Sequence, residues 1–433
     1  MTHPALSMLK VWVVCVLLYT VLPFYLVEKQ LTLQGIVILL LFVGAFCFGT
    51  LLVKPRRRMP AAPPQLDFSN TERLLATASG VAIVSLLLDM QSKSIFDLAV
   101  SYELRSDQAA ALMEGSQSSS SMWFQIGFLT YPAGYAYLVR AIVFERRLSL
   151  TRLGAFGLLP VLMGTLAMGG RAPLLYAILI SLFAWGARTI FMRRRYPHSG
   201  KRRKLSLAST LMITVGVIGA LYYFIAVFFT RAEGVGGASG MFAVAESIWG
   251  VGFRGPMADL MFSVLGEEVT YVIFIFNWYV VQGLPMSNIL FSDYNGPMQL
   301  GVYGVDLISA LVRRLDGARV ARDFDLLQQL GTYGFLPSAF GSLYVDLWFF
   351  GIVVSVAWGA AAGLVYQRIR SARDSRWLML APVVSMGILF SLINTPLGFS
   401  NGLVTHLWMV AAFISAKPFT ARRSNPALAS SAT

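Results

Sequence analysis

Hydrophobic residues in this chain fall into ten runs, 8–27, 33–53, 74–90, 122–143, 153–168, 172–192, 205–230, 344–366, 377–393 and 402–416. Most approach the roughly 20 residues that a helix needs to cross about 30 Å of hydrocarbon. The pattern predicts an all-α polytopic membrane protein of about ten transmembrane helices. No small-x-small site follows the first run and the second comes at once, so the first reads as a span and not as a cleaved signal. In 91–121, Ile95, Leu98, Ala99, Tyr102, Ala109, Leu112 and Met113 recur at helical spacing, which predicts a helix lying on the membrane surface. The stretch 231–338 is long enough for a small extramembrane domain, rich in interfacial or re-entrant helices. Within it 269–281 is apolar apart from Thr270 and Asn277 but short for a crossing, so it reads as re-entrant or interfacial. The chain then divides into helices 1–7 (1–230), a large outer loop (231–338), helices 8–10 (339–416) and a tail (417–433).

With 56% apolar and 13% charged residues, the chain is too apolar for a soluble globule. Its net charge of +14 is not spread evenly. Basic clusters end particular runs: Lys54, Arg56, Arg57 and Arg58; Arg193, Arg194, Arg195, Lys201, Arg202, Arg203 and Lys204; Arg368, Arg370, Arg373 and Arg376. By the positive-inside rule these lie in the cytoplasm, and both termini with them. Most of the 35 Lys and Arg then fall on the inner side and most of the 21 Asp and Glu on the outer side. The basic balance is topogenic and implies no nucleic-acid partner. Cys15 and Cys47 sit inside the first two runs and read as packing residues.

Ionisable residues within or beside the runs, Asp89, Arg140, Arg188 and Asp346, all sit toward an end, which counts against an ion-coupled transporter. The outer stretch carries Arg231, Arg254, Arg313, Arg314, Arg319 and Arg322 and no lysine. An all-arginine set suits planar, bidentate recognition of phosphate oxygens. Gly169-Gly170-Arg171-Ala172-Pro173 adds another: two glycines for a tight turn, proline for a first helical turn, and free backbone N–H groups beside a guanidinium. The alternative is that Arg171 snorkels to headgroups. Arg231 precedes Gly234, Gly236, Gly237 and Gly240, either a loop that closes over substrate or an irregular linker. Asp323-Phe324-Asp325 resembles a metal-binding D-x-D, but Asp325 with Gln328 also spells a helix N-cap, the favoured reading. Gly359 to Gly363 is a small-residue run for close helix packing, and His406 reads as a helix-packing histidine.

Two further stretches, Gly301-Val302-Tyr303-Gly304-Val305-Asp306 and the run from Phe335 through Asp346 to Gly351, resemble the long periplasmic loop and following span of Wzy-type oligosaccharide repeat-unit polymerases. The Gly-Gly-Arg turn and the arginine after the seventh run fit the same pattern. The resemblance implies a glycosyltransferase of the bacterial inner membrane. It would join repeat units carried on undecaprenyl diphosphate at the periplasmic leaflet, in O-antigen or exopolysaccharide (lipopolysaccharide, capsule or slime) biosynthesis. No cofactor or metal is implied, and a chain-length regulator and a flippase are the expected partners. Arg171, Arg231, Arg254, Arg319 and Arg322 are then the diphosphate-binding candidates. Glu233, Asp306 and Asp346, with Glu267 and Glu268, are candidates for the base that takes the acceptor proton. O-antigen ligases resemble this architecture but usually carry a histidine in the large outer loop, and 231–338 contains none. A lipid-linked oligosaccharide flippase or exporter should show inverted repeats, which are not evident here.

Overall fold

The computed structural model describes residues 2–26, 31–54, 66–93, 121–195, 218–219, 222–230, 232–332, 334–371 and 374–418, with the side chains at 318, 319 and 321–323 outside the description. In chain order, the first helices are α1 (Pro4–Val21), α2 (Leu33–Leu52), α3 (Ser69–Ser92), α4 (Met122–Thr130), α5 (Ala133–Phe144), α6 (Leu150–Ala167) and α7 (Ala172–Arg195). Next come α8 (Gly237–Ser247), α9 (Gly255–Val281), α10 (Gly283–Asp293), α11 (Asp306–Leu315), α12 (Gly317–Gln329) and α13 (Ser338–Leu347). The series closes with α14 (Phe350–Ser371), α15 (Ala381–Phe390) and α16 (Gly402–Ser415). Among the described residues, seven helices are long and apolar enough to cross a membrane: α1, α2, α3, α4 continued into α5, α6, α7 and α14. The chain is thus a multi-pass membrane protein.

Local chemistry sets several boundaries. Thr32 caps α2, its hydroxyl accepting from the Gly35 N–H at 3.0 Å, and Ser121 caps α4 through the Phe124 N–H at 3.0 Å. Asn288 of α10 clasps the first cap, its amide oxygen accepting from the Thr32 N–H at 2.9 Å and its amide donating to the Thr32 carbonyl. The small-residue run is where α14 meets α2. A Cβ on Gly359 would strike the Phe46 carbonyl, one on Gly49 the Val356 carbonyl, and one on Gly363 would come within 2.8 Å of the Thr50 carbonyl. Backbone packs directly on backbone there. Aromatic residues fill the space beside this contact, with Phe42 against Phe291 and Phe340, and Trp358 against Phe46. A second hydrophobic cluster surrounds Tyr131, Tyr135 and Tyr176.

The structure departs from the expected ten spans in the eighth, ninth and tenth runs. The eighth run breaks at Trp348 (φ 51°, ψ −138°), so the span is α14 and the residues before it form the separate short helix α13. The ninth and tenth runs yield helices of only 10 and 14 residues, and 391–401 between them is not helical. The 269–281 run is the second half of α9, which bends at Gly266 (φ 76°, ψ 170°), and α10 follows with its residues 283–291 all buried. Of the seventh run, only 218–219 and 222–230 are described, and they are helical. The expected surface helix lies almost wholly outside the described residues. Two small antiparallel strand pairs, β1 (Phe24–Leu26) with β3 (Val251–Phe253) and β2 (Leu66–Asp67) with β4 (Lys417–Pro418), qualify the all-α expectation. The first tethers the long segment back to the end of α1.

Candidate functional site

Hydrogen bonds sort the polar residues into two ends of the bundle. At one end Arg140, only 6% exposed, pairs with Glu72 at 2.6 Å and with Glu145, and Arg152 pairs with Glu72 at 3.0 Å. Arg188 donates to the Ile142 and Glu145 carbonyls, and Arg194 to the Ile369 carbonyl at 2.6 Å. These are the basic ends of α5, α7 and α14. At the other end lie the start of α7, the end of α13 and the non-helical 391–401.

Arg171 caps the start of α7. Gly169 adopts φ 55°, Gly170 donates to the Thr165 carbonyl, and the Arg171 carbonyl accepts the Leu175 N–H at 3.1 Å, with Pro173 in the first turn. This is the turn that the glycines and proline encode. The Arg171 guanidinium carbon lies 3.6 Å from the centre of the Phe228 ring and 5.8 Å from that of Tyr279. A ring beneath a guanidinium holds the charge in place, and the Nη1 atom of Arg171 is itself buried. Phe228 stands three positions before Arg231, which itself lies outside the described residues.

From Arg171 a chain of polar contacts runs across the bundle. Tyr135 donates to the Pro173 carbonyl at 3.0 Å and shares a hydrogen bond with the Ser400 hydroxyl at 3.3 Å, while Tyr131 donates to the Ser400 carbonyl at 3.3 Å. Asp306, exposed at the start of α11, lies close enough to act electrostatically on the Tyr131 hydroxyl. Thr395, on the same non-helical segment, donates to the Gly304 carbonyl at 2.7 Å. Gly304 in turn donates its N–H to Asp346 at 2.9 Å, and Tyr303 does so at 3.0 Å. Thus Arg171, Asp306 and Asp346, three of the residues singled out from the sequence, are brought to one end.

Asp346 needs a corrected role. It stands near the C-terminal end of α13 and is 2% exposed. Each carboxylate oxygen accepts one backbone N–H of the 301–304 turn, and its main-chain carbonyl accepts the Leu300 N–H. Burial pushes its carboxyl up to about 6, against the opposite pull of those N–H groups. A carboxylate engaged on both oxygens positions the loop that carries Asp306 and is poorly placed to take a substrate proton. Asp325 is also corrected: it lies within α12, so it does not cap that helix.

The other candidates sit apart. Arg254 is exposed beside the Tyr25 ring, 5.0 Å from its centre, and Glu233 is exposed ahead of α8; none of their described contacts reaches the Arg171 group. Glu267 accepts from the Ser239 hydroxyl, and Glu268 is exposed. Arg319 and Arg322 belong to α12, with side chains outside the description. Among the described residues no three His, Cys, Asp or Glu converge to hold a metal ion. Sequence reasoning passed over Tyr131, Tyr135, Thr395, Ser400 and Asn401. The signal for the last three was Asn394-Thr395-Pro396 and Ser400-Asn401-Gly402, turn-forming polar residues between the ninth and tenth runs.

No family model matches the chain, and neither a curated protein nor a solved structure matches it.

Proposed function

We propose that the chain is a membrane glycosyltransferase that polymerises undecaprenyl-diphosphate-linked oligosaccharide repeat units on the periplasmic side of the bacterial inner membrane, in O-antigen or exopolysaccharide biosynthesis. Both termini are then cytoplasmic, and 231–338 is periplasmic. The observation that carries this reading is the stacking of Arg171 on Phe228, which sets one outer arginine beside the segment that leads into another, Arg231. The glycosyl diphosphate already holds the driving force for transfer. An acceptor hydroxyl oxygen attacks the anomeric carbon, and the bond from that carbon to the diphosphate oxygen breaks with its electron pair. The hydroxyl proton passes to a carboxylate, for which exposed Asp306 is better suited than buried Asp346. Charge growing on the departing diphosphate is stabilised by guanidinium groups held in place beforehand. Arg171 supplies one, with Arg231, Arg319 and Arg322 as further donors. A chain-length regulator and a flippase are the partners this activity calls for.

Deleting the protein in its host and analysing lipid-linked and surface glycans tests the reading. A polymerase defect leaves single repeat units on the acceptor; polymer stranded on its carrier would instead indicate a ligase, and units trapped inside a flippase. Arg171→Ala is expected to reproduce the deletion. Arg171→Lys restores charge but neither the planar stacking nor bidentate binding, so chain synthesis stays at least about ten-fold down. Normal chain length in both variants would refute the diphosphate site.

A further inference from the structure

The turn between α15 and α16 carries polarity beyond what the fold uses. Ser400 (φ 51°) and Asn401 (φ 60°) are consecutive non-glycine residues in the left-handed region, a conformation that costs energy and persists where surrounding contacts impose it. Asn401 is 3% exposed and its amide nitrogen donates to the Phe128 carbonyl, while its side-chain oxygen is buried without a hydrogen-bond partner. Turning the amide over would set that oxygen against the Phe128 carbonyl, so the orientation is fixed. A buried carbonyl oxygen left unpaired is costly unless something donates to it. Beside it lie the Tyr131 and Tyr135 hydroxyls and Ser400, and the rings of Phe390 and Phe399, stacked at 4.2 Å, with Tyr176 against both. Tyr131 and Asn401 are buried, while Ser400 and Phe399 at their outer side are half-buried, so the group lies just beneath the surface. Directed acceptors and hydroxyls flanked by aromatic rings suit a ligand with several hydroxyl groups and apolar C–H faces, which describes a sugar ring.

We propose that Tyr131, Ser400 and Asn401 form a sugar-binding subsite in which the Asn401 amide oxygen accepts a hydroxyl of the lipid-linked substrate. The inference rests on the glycosyltransferase reading and adds where the glycan is recognised, apart from the arginines that hold the diphosphate.

The test uses the full chain in nanodiscs and two probes: undecaprenyl-diphosphate-linked repeat units extracted from a host strain lacking this protein, and undecaprenyl diphosphate alone. Asn401→Gly keeps the left-handed backbone accessible, and Tyr131→Phe keeps the ring packing. Each is expected to bind the sugar-bearing lipid about ten-fold more weakly, the cost of one hydrogen bond, with binding of the bare diphosphate unchanged. Arg171→Ala weakens both probes. Wild-type affinity for the sugar-bearing lipid in both variants overturns the subsite and leaves the proposed function standing. Failure of the wild-type protein to bind either probe overturns both. If Asn401→Gly does not accumulate, Tyr131→Phe decides alone.

Discussion

Both carboxylate oxygens of Asp346 are spent on holding the 301–304 turn. Removing it as Asp346→Ala strands the Tyr303 and Gly304 N–H groups in a buried place, at a cost of about 2–4 kcal/mol. Thermal unfolding in detergent should show that loss as a lower Tm. Its carboxyl is raised to about 6 from an ordinary value of 3.8, so the neutral form is the one folding favours. The sign follows: its contribution to stability is complete below about 3.8, is lost as pH rises to about 6, and is level above. Between pH 4 and pH 6 this group should therefore withdraw stability on the order of 3 kcal/mol, read as a falling Tm of the wild-type protein. Asp346→Asn should remove that slope, and an unchanged slope would contradict the assignment. Arg171 and Asp346 were both visible in the sequence because each sits in a distinctive local string. Asn401 was not, because what makes it notable is an oxygen without a partner, a property of surroundings drawn from α4, α5 and α15.

Helices followed local rules where local rules decide. The Gly169-Gly170 turn, the start of α11 at Asp306 and the close approach at Gly359 could all be read from residue type and spacing. Replacing Gly359 with leucine should drive a side chain into the Phe46 backbone and cost 1–3 kcal/mol or more, with Gly359→Ala a milder form of the same defect. Monodisperse yield after size-exclusion chromatography reports it. The break at Trp348 escaped notice for the opposite reason. Tryptophan does not signal a left-handed residue, and the bend is held by distant groups, the Trp348 indole donating to the Gly296 carbonyl at 3.2 Å and Leu300 donating to Asp346. Periodicity alone therefore ran α13 and α14 together. The bend in α9 does fall on a glycine, Gly266, but an apolar run on its far side concealed it.

The bundle as a whole places an ion-paired, basic end opposite an end made of turns, short helices and Arg171. Impermeant maleimide labelling gives that polarity a direction. In a chain with Cys15 and Cys47 replaced, single cysteines at Glu233 and Asp306 should label from the outside of intact spheroplasts, and one at Arg152 only after permeabilisation. The reverse pattern would put the arginines in the wrong compartment for a periplasmic transferase. Hydropathy and charge gave the membrane class and this expected orientation because both depend on composition over long stretches. They could not give the unequal lengths of the last helices. At about 1.5 Å per residue, α16 rises only about 21 Å, short of about 30 Å of hydrocarbon, and the ninth run is a short helix too, a 3-10 turn from Ser375 leading into α15. Where such a short helix borders lipid, local thinning of the bilayer is one way to match it. On the proposed function, a polyprenyl carrier arriving at such a wall would find its pyrophosphate lowered below the surrounding leaflet surface before any protein group moved, so the shallowest side of the bundle would serve as its loading ramp.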